Sequence, residues 1–534
     1  MPERLASWKE IAAYLGREVR TVQRWAVERG LPVHHLPGGV RPRVFSTQPE
    51  LDAWLRAGRP PSRPEPVSVA VLPFLNLTGG PDDQYFGDGL AEDLINALVR
   101  VPGLRVIART SSFVFTDRGR DVHEIGRRLG TTWLIEGSVR RARKRIRVSA
   151  QLVNTRDGFH AWSECFDREL TDSLAIQDEL AEAIASALQV TLAVGVPVKR
   201  RTSDLAAYDL WVKGRSISQQ FTPGAIAQAR QCFEGAIARD PAFAKPYFGL
   251  ADLLFAAVQF GLVEPRGALP QLRAAITKSL ELDEAFPEAH ALHGVIRGTL
   301  DYDWPGAEAA FGRALELGPG SATALIQHAW FHLVPTLQLA RALDEAQQAV
   351  VLDPLSGLVR GRLGLVRMAA RQYGAAVEDC RAAVELAPGR WWAHWFYGTA
   401  LLLQGRLAEG FKESKRLYDE VHQPLAVGAM ALLHGLFRRR AHAKPFVAEL
   451  ETMSRSMPVP PMAWAFAYIG AGDHRVFEWL SRAIEDRDPV VTHLPSMPFY
   501  DGLRDDPRFH ALLLRMNLAH DGRVRRRAPP APFS

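Results

Sequence analysis

"GAEAAFGRALELGP", residues 306–319, decides how most of this chain is read. Ala307, Phe311 and Ala314 stand four and three positions apart, which places their side chains on one face of a helix. Pro319 comes five positions after Ala314 and ends that helix, because it has no N–H to donate and its ring clashes with the preceding turn. The same frame returns as Ala229, Phe233, Ala236 and Pro241, as Ala342, Ala346, Ala349 and Pro354, and as Ala376, Cys380, Ala383 and Pro388. The copies at Ala307, Ala342 and Ala376 recur after 35 and 34 residues, and Gly364 and Gly398, also 34 apart, mark the preceding helices. A weaker copy runs through Leu272, Ile276, Ser279 and Glu284.

This frame resembles the tetratricopeptide repeat. Small residues let two antiparallel helices approach closely, the aromatic fills the groove between them, and proline ends the second helix. A single pair cannot bury its own apolar face, so five or six pairs should stack into a right-handed solenoid with a concave surface. "YIGAGDHRVFEWLSRAIEDRDP", residues 468–489, reads as a degenerate pair near the end. The repeat region is predicted over 205–518, with residues 519–534 as a basic flexible tail. On this register Ala314→Phe should overpack a helix pair, whereas Glu308→Gln on the same helix should matter little.

The chain has 534 residues, 47% hydrophobic and 23% charged, the composition of a multidomain globular protein. Three cysteines far apart argue against a disulfide framework. The first twenty residues carry seven charged side chains and no long apolar run, and no later apolar stretch is long enough to span a bilayer. A cytoplasmic protein with no membrane association is expected. The net charge of +6 is small, but residues 1–66 hold eleven Lys and Arg against seven Asp and Glu. Positive charge therefore concentrates before the proline-rich linker "GRPPSRPEP", residues 58–66.

After the linker, "VSVAVLPFLNL" reads as a buried strand, with Pro81 and Asp82 in a loop and a helix from Phe86 onward. Asp88, Glu92 and Asp93 fall in the first turns of that helix, where its dipole favours anions. A strand at "LRVIA", a helix over 121–129 and strands near 132–140, 146–154 and 159–168 follow, then a helix from Ser173 to about Val194. This order predicts a mixed α/β domain over 67–196. "VAVLPFLNLTGGPDDQYFGDGLAEDLINAL", "LIEGSVRR" and "AQLVNTRDGFHAWSECFDREL" are similar to the TolB N-terminal-like domain found beside tetratricopeptide repeats in bacterial regulators. The resemblance implies no catalytic residues there.

Motifs of chemistry are incomplete. His123-Glu124 begins like a zinc-protease HExxH, but Arg127 stands where the second histidine belongs. Gly87-x-Gly89 precedes Glu92 where a dinucleotide fingerprint needs glycine, and an acidic helix start would repel a pyrophosphate. No P-loop and no GxSxG occurs. The aromatics Trp391, Trp392, Trp395, Phe396 and Tyr397 read as the core of a repeat helix, and the arginine runs at 438–440 and 523–527 as solvated ends. No catalytic residue, cofactor or metal site is expected, and the chain is read as a non-enzyme.

"SWKEIAAYLGREVRTVQRWAVERG", residues 7–30, is different. Ser7 and Glu10 form a capping box for a first helix that ends at Gly16, and Thr21 reads as the cap of a second. Val22, Trp25 and Ala26 then face inward, leaving Gln23 and Arg24 outward. A hairpin with Gly38-Gly39 at its tip and Arg41 and Arg43 on one face follows, and Thr47 with Glu50 caps a closing helix. Residues 5–57 resemble the winged helix-turn-helix of the excisionase and MerR-like group, and the domain is predicted over 1–57. The resemblance implies that Arg20, Thr21, Gln23 and Arg24 lie on a DNA-recognition helix and Arg41 and Arg43 on the wing.

The fold class predicted is thus multidomain α and α/β: a small winged helix-turn-helix, a mixed α/β domain and an all-α repeat solenoid. The function expected is a transcriptional regulator that binds double-stranded DNA through residues 1–57 and a protein or peptide through the solenoid, with a homodimer on paired half-sites. The alternative is a repeat scaffold or assembly factor whose N-terminal unit docks protein.

Overall fold

The computed structural model describes residues 4–17, 19–28, 31–36, 43–56, 67–78, 81–101, 103–116, 121–142, 145–169, 202, 204–220, 222–436 and 440–518, with Glu179, Ala183, Ile184 and Ala187 between. The hairpin tip with Arg41, the proline-rich linker, nearly all of the helix expected over 173–194, Arg438, Arg439 and the basic tail lie outside the described residues. The chain divides into two compact units, Met1–Pro66 and Val67–Ser534.

The first unit runs β1 (Arg4–Leu5), α1 (Trp8–Tyr14), α2 (Val19–Glu28), β2 (His34–Leu36), β3 (Arg43–Thr47) and α3 (Gln48–Arg56). Its strands form an antiparallel sheet in the order β1-β3-β2, with Leu5 opposite Ser46 and His34 opposite Phe45. Ile11, Ala12, Val22, Leu31 and Leu51 make the core, and the Trp25 and Trp54 rings pack 5.7 Å apart. The Ser7 hydroxyl accepts from the Glu10 N–H, and Glu10 in turn accepts from the Ala6 N–H at 2.8 Å, closing the first turn of α1. Gly16, at φ +61°, takes the left-handed conformation that ends α1. The chain turns so sharply there that α2 has already begun by Val19, so Thr21 sits inside its first turn and is not its cap.

The second unit opens with β4 (Ser68–Val71), β5 (Leu75–Asn76), α4 (Pro81–Leu98), β6 (Arg105–Val106), α5 (Arg109–Ser112), α6 (Val122–Leu129), β7 (Trp133–Ala142), β8 (Arg145–Asn154) and β9 (His160–Glu169). The sheet order is β6-β4-β7-β8-β9, with β5 also beside β7. The early strands pair in parallel and β7, β8 and β9 antiparallel, a mixed sheet. Pro81 is the first residue of α4, where its missing N–H costs nothing. Asp88, Glu92 and Asp93 are therefore mid-helix, and the helix dipole is not what they serve. The Gly87-x-Gly89 pair has a packing role: a side chain at Gly87 would overlap the Phe74 carbonyl, and one at Gly89 would come within 2.6 Å of the Tyr208 hydroxyl.

From Leu205 the unit is an array of helix pairs: α7 (Leu205–Ser218), α8 (Pro223–Arg239), α9 (Ala244–Gln259), α10 (Pro265–Leu282), α11 (Pro287–Thr299), α12 (Trp304–Leu317), α13 (Ala322–His328), α14 (Leu339–Leu352), α15 (Gly357–Ala369), α16 (Tyr373–Leu386), α17 (Trp391–Leu403), α18 (Leu407–Val421), α19 (Pro424–Leu436), α20 (Arg440–Met453), α21 (Pro461–Ala471), α22 (Val476–Glu485) and α23 (Pro507–Arg515). Ala229, Phe233, Ala236, Ala307, Phe311, Ala314, Ala342, Ala346, Ala349, Ala376, Cys380 and Ala383 are all fully buried, as the repeat register requires. Phe233 lies against Gly214 of α7 and Gly249 of α9, where any side chain would come within 2.7 Å of its ring. Tyr302, Leu337, Arg371 and Gly405 all have positive φ in the turns between paired helices. Three of these four left-handed positions are filled by residues that pay no such position a natural preference. Among the described residues no helix is long and apolar enough to cross a membrane.

Candidate functional site

In the first unit, α2 carries Arg20, Thr21, Gln23 and Arg24 in its first two turns. Arg20 and Gln23 are exposed, Thr21 is half-buried, and Val22 on the opposite face is fully buried. Arg43 lies on β3 opposite Leu36, and Arg41 lies outside the described residues. The hairpin is tied to α3 rather than left loose: His34 Nε2 is 2.9 Å from Glu50, whose carboxylate also accepts from the Thr47 N–H and hydroxyl at 3.0 and 2.8 Å. The Thr47 hydrogen bonds, and next that of His34, hold the Glu50 carboxyl below its usual range. The arrangement is an exposed helix face, carrying Arg20 and Gln23, on a small apolar core.

In the second unit, polar groups meet where the sheet domain joins the array. Asp93 is fully buried; it forms an ion pair with Lys245 of α9 and accepts from the Tyr208 hydroxyl of α7 at 2.7 Å. Glu92 pairs with Arg109 of α5 at 3.0 Å and Arg215 of α7 at 3.4 Å. Arg215 also reaches Asp252, whose carboxyl burial pushes up. Asp88, half-buried beside these groups, is likewise raised by burial, against the pull of Arg109. Glu92 and Asp93 of α4 thus face cations of the array, Arg215 and Lys245, while Asp88 lies near Arg109 of α5.

The aromatics of α17 pack as a core helix does. Trp391 and Trp395 stack at 6.0 Å, and Trp395 and Phe396 wall a cavity of about 90 Å³ with Trp330, Phe466 and His493. His123 of α6 has its Nδ1 2.8 Å from the Thr155 carbonyl, an ordinary structural contact. The sequence reading passed over one cluster. Glu308, His328 and His332 converge within the array, and the only local signal was the spacing of two histidines at i and i+4. Glu308 is therefore not the indifferent surface residue that the Glu308→Gln expectation assumed, because three cationic or histidine side chains face its carboxylate.

No family model matches the chain. Over 243 residues it is 37% identical to "Putative adenylate cyclase 3" of Rhizobium meliloti (strain 1021), covering 44% of this chain and 41% of that protein. Over 183 residues it is 25% identical to transcriptional regulator HilA of Salmonella typhimurium (strain LT2), covering 34% and 32%. The chain thus spans less than half the length of these relatives. A solved tetratricopeptide repeat protein from Parabacteroides merdae overlaps 59% of this chain and all of its own, at 14% identity and a TM-score of 0.32. Helix pairs stack alike whatever they bind, so that overlap says nothing of ligands.

Proposed function

We propose that this chain is a DNA-binding transcriptional regulator, with residues 1–57 acting as a winged helix-turn-helix and the helix array contacting a protein partner. The observation that carries the reading is α2: Val22 is buried and Trp25 packs on Trp54, which leaves Arg20 and Gln23 exposed in its first two turns. A helix that offers its N-terminal residues outward suits the major groove, and the basic balance of residues 1–66 suits phosphate. The likeness to transcriptional regulator HilA supports the same function. In this reading the TolB-like domain couples head to array, two copies act on paired half-sites, and the protein works in the cytoplasm.

The reading assigns no catalytic step. A second reading, a scaffold whose first unit docks protein, is favoured by the share of the chain given to stacked helix pairs, which present extended binding surfaces. Titration of the intact protein against duplex from a selected binding pool separates the two. Regulation predicts affinity that falls steeply with salt, as counterion release requires. Absence of duplex binding at low salt would leave the scaffold.

A further inference from the structure

Glu308 lies on α12, His328 is the last residue of α13, and His332 lies in the π-helical turn Ala329–Leu333 that extends it. The two imidazoles stack with centroids 5.3 Å apart and aim the same nitrogen at the same oxygen. His328 Nε2 is 3.3 Å from Glu308 Oε2 and His332 Nε2 is 2.7 Å from it. Both rings are buried, at 2% and 3% exposure, while the Glu308 side chain is 43% exposed and keeps the cluster open to solvent on that side.

We propose that Glu308, His328 and His332 bind a divalent transition-metal ion of the zinc class. Two imidazoles and one carboxylate are a donor set such ions take, with a further position left open. Donor atoms around a tetrahedral ion at ~2.0–2.1 Å stand roughly 3.3 Å apart, and these three lie within 4.8 Å of one another. The surroundings suit ligation. His328 Nδ1 is 2.8 Å from Glu345 of α14, the carboxylate–histidine pairing that directs the other nitrogen to a metal. Arg341 takes the other Glu308 oxygen, Oε1, at 3.2 Å, which leaves Oε2 toward the imidazoles.

His332 Nδ1, the ring nitrogen turned away from Glu308, is buried with no hydrogen-bond partner. One further observation marks the site. The helix departs from α geometry here, and such turns recur at functional sites. Two carboxylates, Glu308 and Glu345, stand against one guanidinium, Arg341, around the site. An ion held there ties α12 to the π turn.

The test uses the full chain without a histidine tag, stripped with chelator and titrated with Co²⁺ and Zn²⁺ alone. One ion per chain should bind, and Co²⁺ should give the visible absorption of a low-coordinate site that Zn²⁺ then bleaches. Glu308→Gln and His332→Ala should each weaken binding at least tenfold, and Glu345→Gln should do so by about 10- to 100-fold if it orients His328. Circular dichroism checks that each variant is folded, and Glu308→Gln, at the open side, serves where a histidine variant is not. Absence of binding by the wild type, or equal affinity in wild type and folded Glu308→Gln, would overturn the proposal.

Discussion

Ser111 donates its hydroxyl proton to Asp353 across 2.5 Å, joining residues 242 positions apart. The same hydroxyl oxygen accepts from the Leu355 N–H at 2.8 Å, and the Ala108 N–H donates to the Leu352 carbonyl at 2.8 Å. The short helix α5 thereby plugs into the connection between α14 and α15. Both Ser111 and Asp353 are buried, so Ser111→Ala leaves the Leu355 amide without its partner and removes one of the hydrogen bonds to Asp353, which Ser356 and the Ser111 backbone also reach. A loss of about 1–3 kcal/mol is expected, measured by chemical denaturation, with faster hydrogen exchange at Leu355. Unchanged stability and exchange would show the contact to be idle.

Asp353 also sets a pH dependence. Burial, against the hydrogen bond from Ser111, raises its carboxyl to about 6. Its folded value lies above the ordinary 3.8, so the native state holds a proton that the unfolded chain releases. The resulting stabilisation is full below the unfolded value and is lost as the pH rises through about 6. Asp353→Asn cannot titrate, so wild-type stability relative to this variant should fall between about pH 4 and 6 and level off above that. A constant difference across that range would contradict the assignment.

Lys245 and Asp93 make the deepest ion pair of the seam, with Asp93 fully buried. Lys245→Met strands a carboxylate away from water, which typically costs about 3–5 kcal/mol. Replacing both, as Lys245→Met with Asp93→Leu, removes the stranded charge and should recover part of that loss. The four-way comparison by denaturation checks this, and additive losses would show that the two groups do not depend on each other.

Glycines on two helices of the array should respond oppositely to the same methyl group. Gly312 on α12 faces open space, so Gly312→Ala should stabilise by about 0.5–1 kcal/mol through helix propensity. A side chain at Gly364 of α15 would overlap the buried Cys380 sulfur, so Gly364→Ala should cost about 1–3 kcal/mol by overpacking. Thermal melts of the two variants decide the point; equal shifts would mean that the repeat register is misplaced.

The helix array was legible because its rule is local: Ala307, Phe311 and Ala314 announce a buried face within eight residues. The strand β8 was legible for the same reason, as alternation at period two, with Ile146, Val148, Ala150 and Leu152 buried. The start of α4 was missed although Pro81 signalled it, because proline after an apolar run was read as a loop. The close crossing of α19 and α21 follows another rule: Gly428, Gly435 and Gly470 place backbone against backbone where the repeat frame places an aromatic. Asp93 with Lys245, and Glu308 with His328 and His332, come together from separate helices, and no spacing along the chain encodes that meeting.

The proposed DNA reading rests on two arginines with different tasks. Arg24 lies in the second turn of α2, behind exposed Arg20 and Gln23. A bidentate contact from it to guanine in the major groove is worth about 1–3 kcal/mol of discrimination. Arg24→Ala should therefore bind with reduced preference among sequences. Arg41, between β2 and β3 in sequence and outside the described residues, is expected on phosphate or the neighbouring minor groove. Arg41→Ala should weaken binding to all sequences alike and flatten the salt slope by about one unit. Titrations of labelled duplex at several salt concentrations, with preferred and scrambled sequences, distinguish the two. Should Arg41→Ala change preference while Arg24→Ala changes only the salt slope, the helix and the hairpin would have exchanged roles and the recognition element would not be α2.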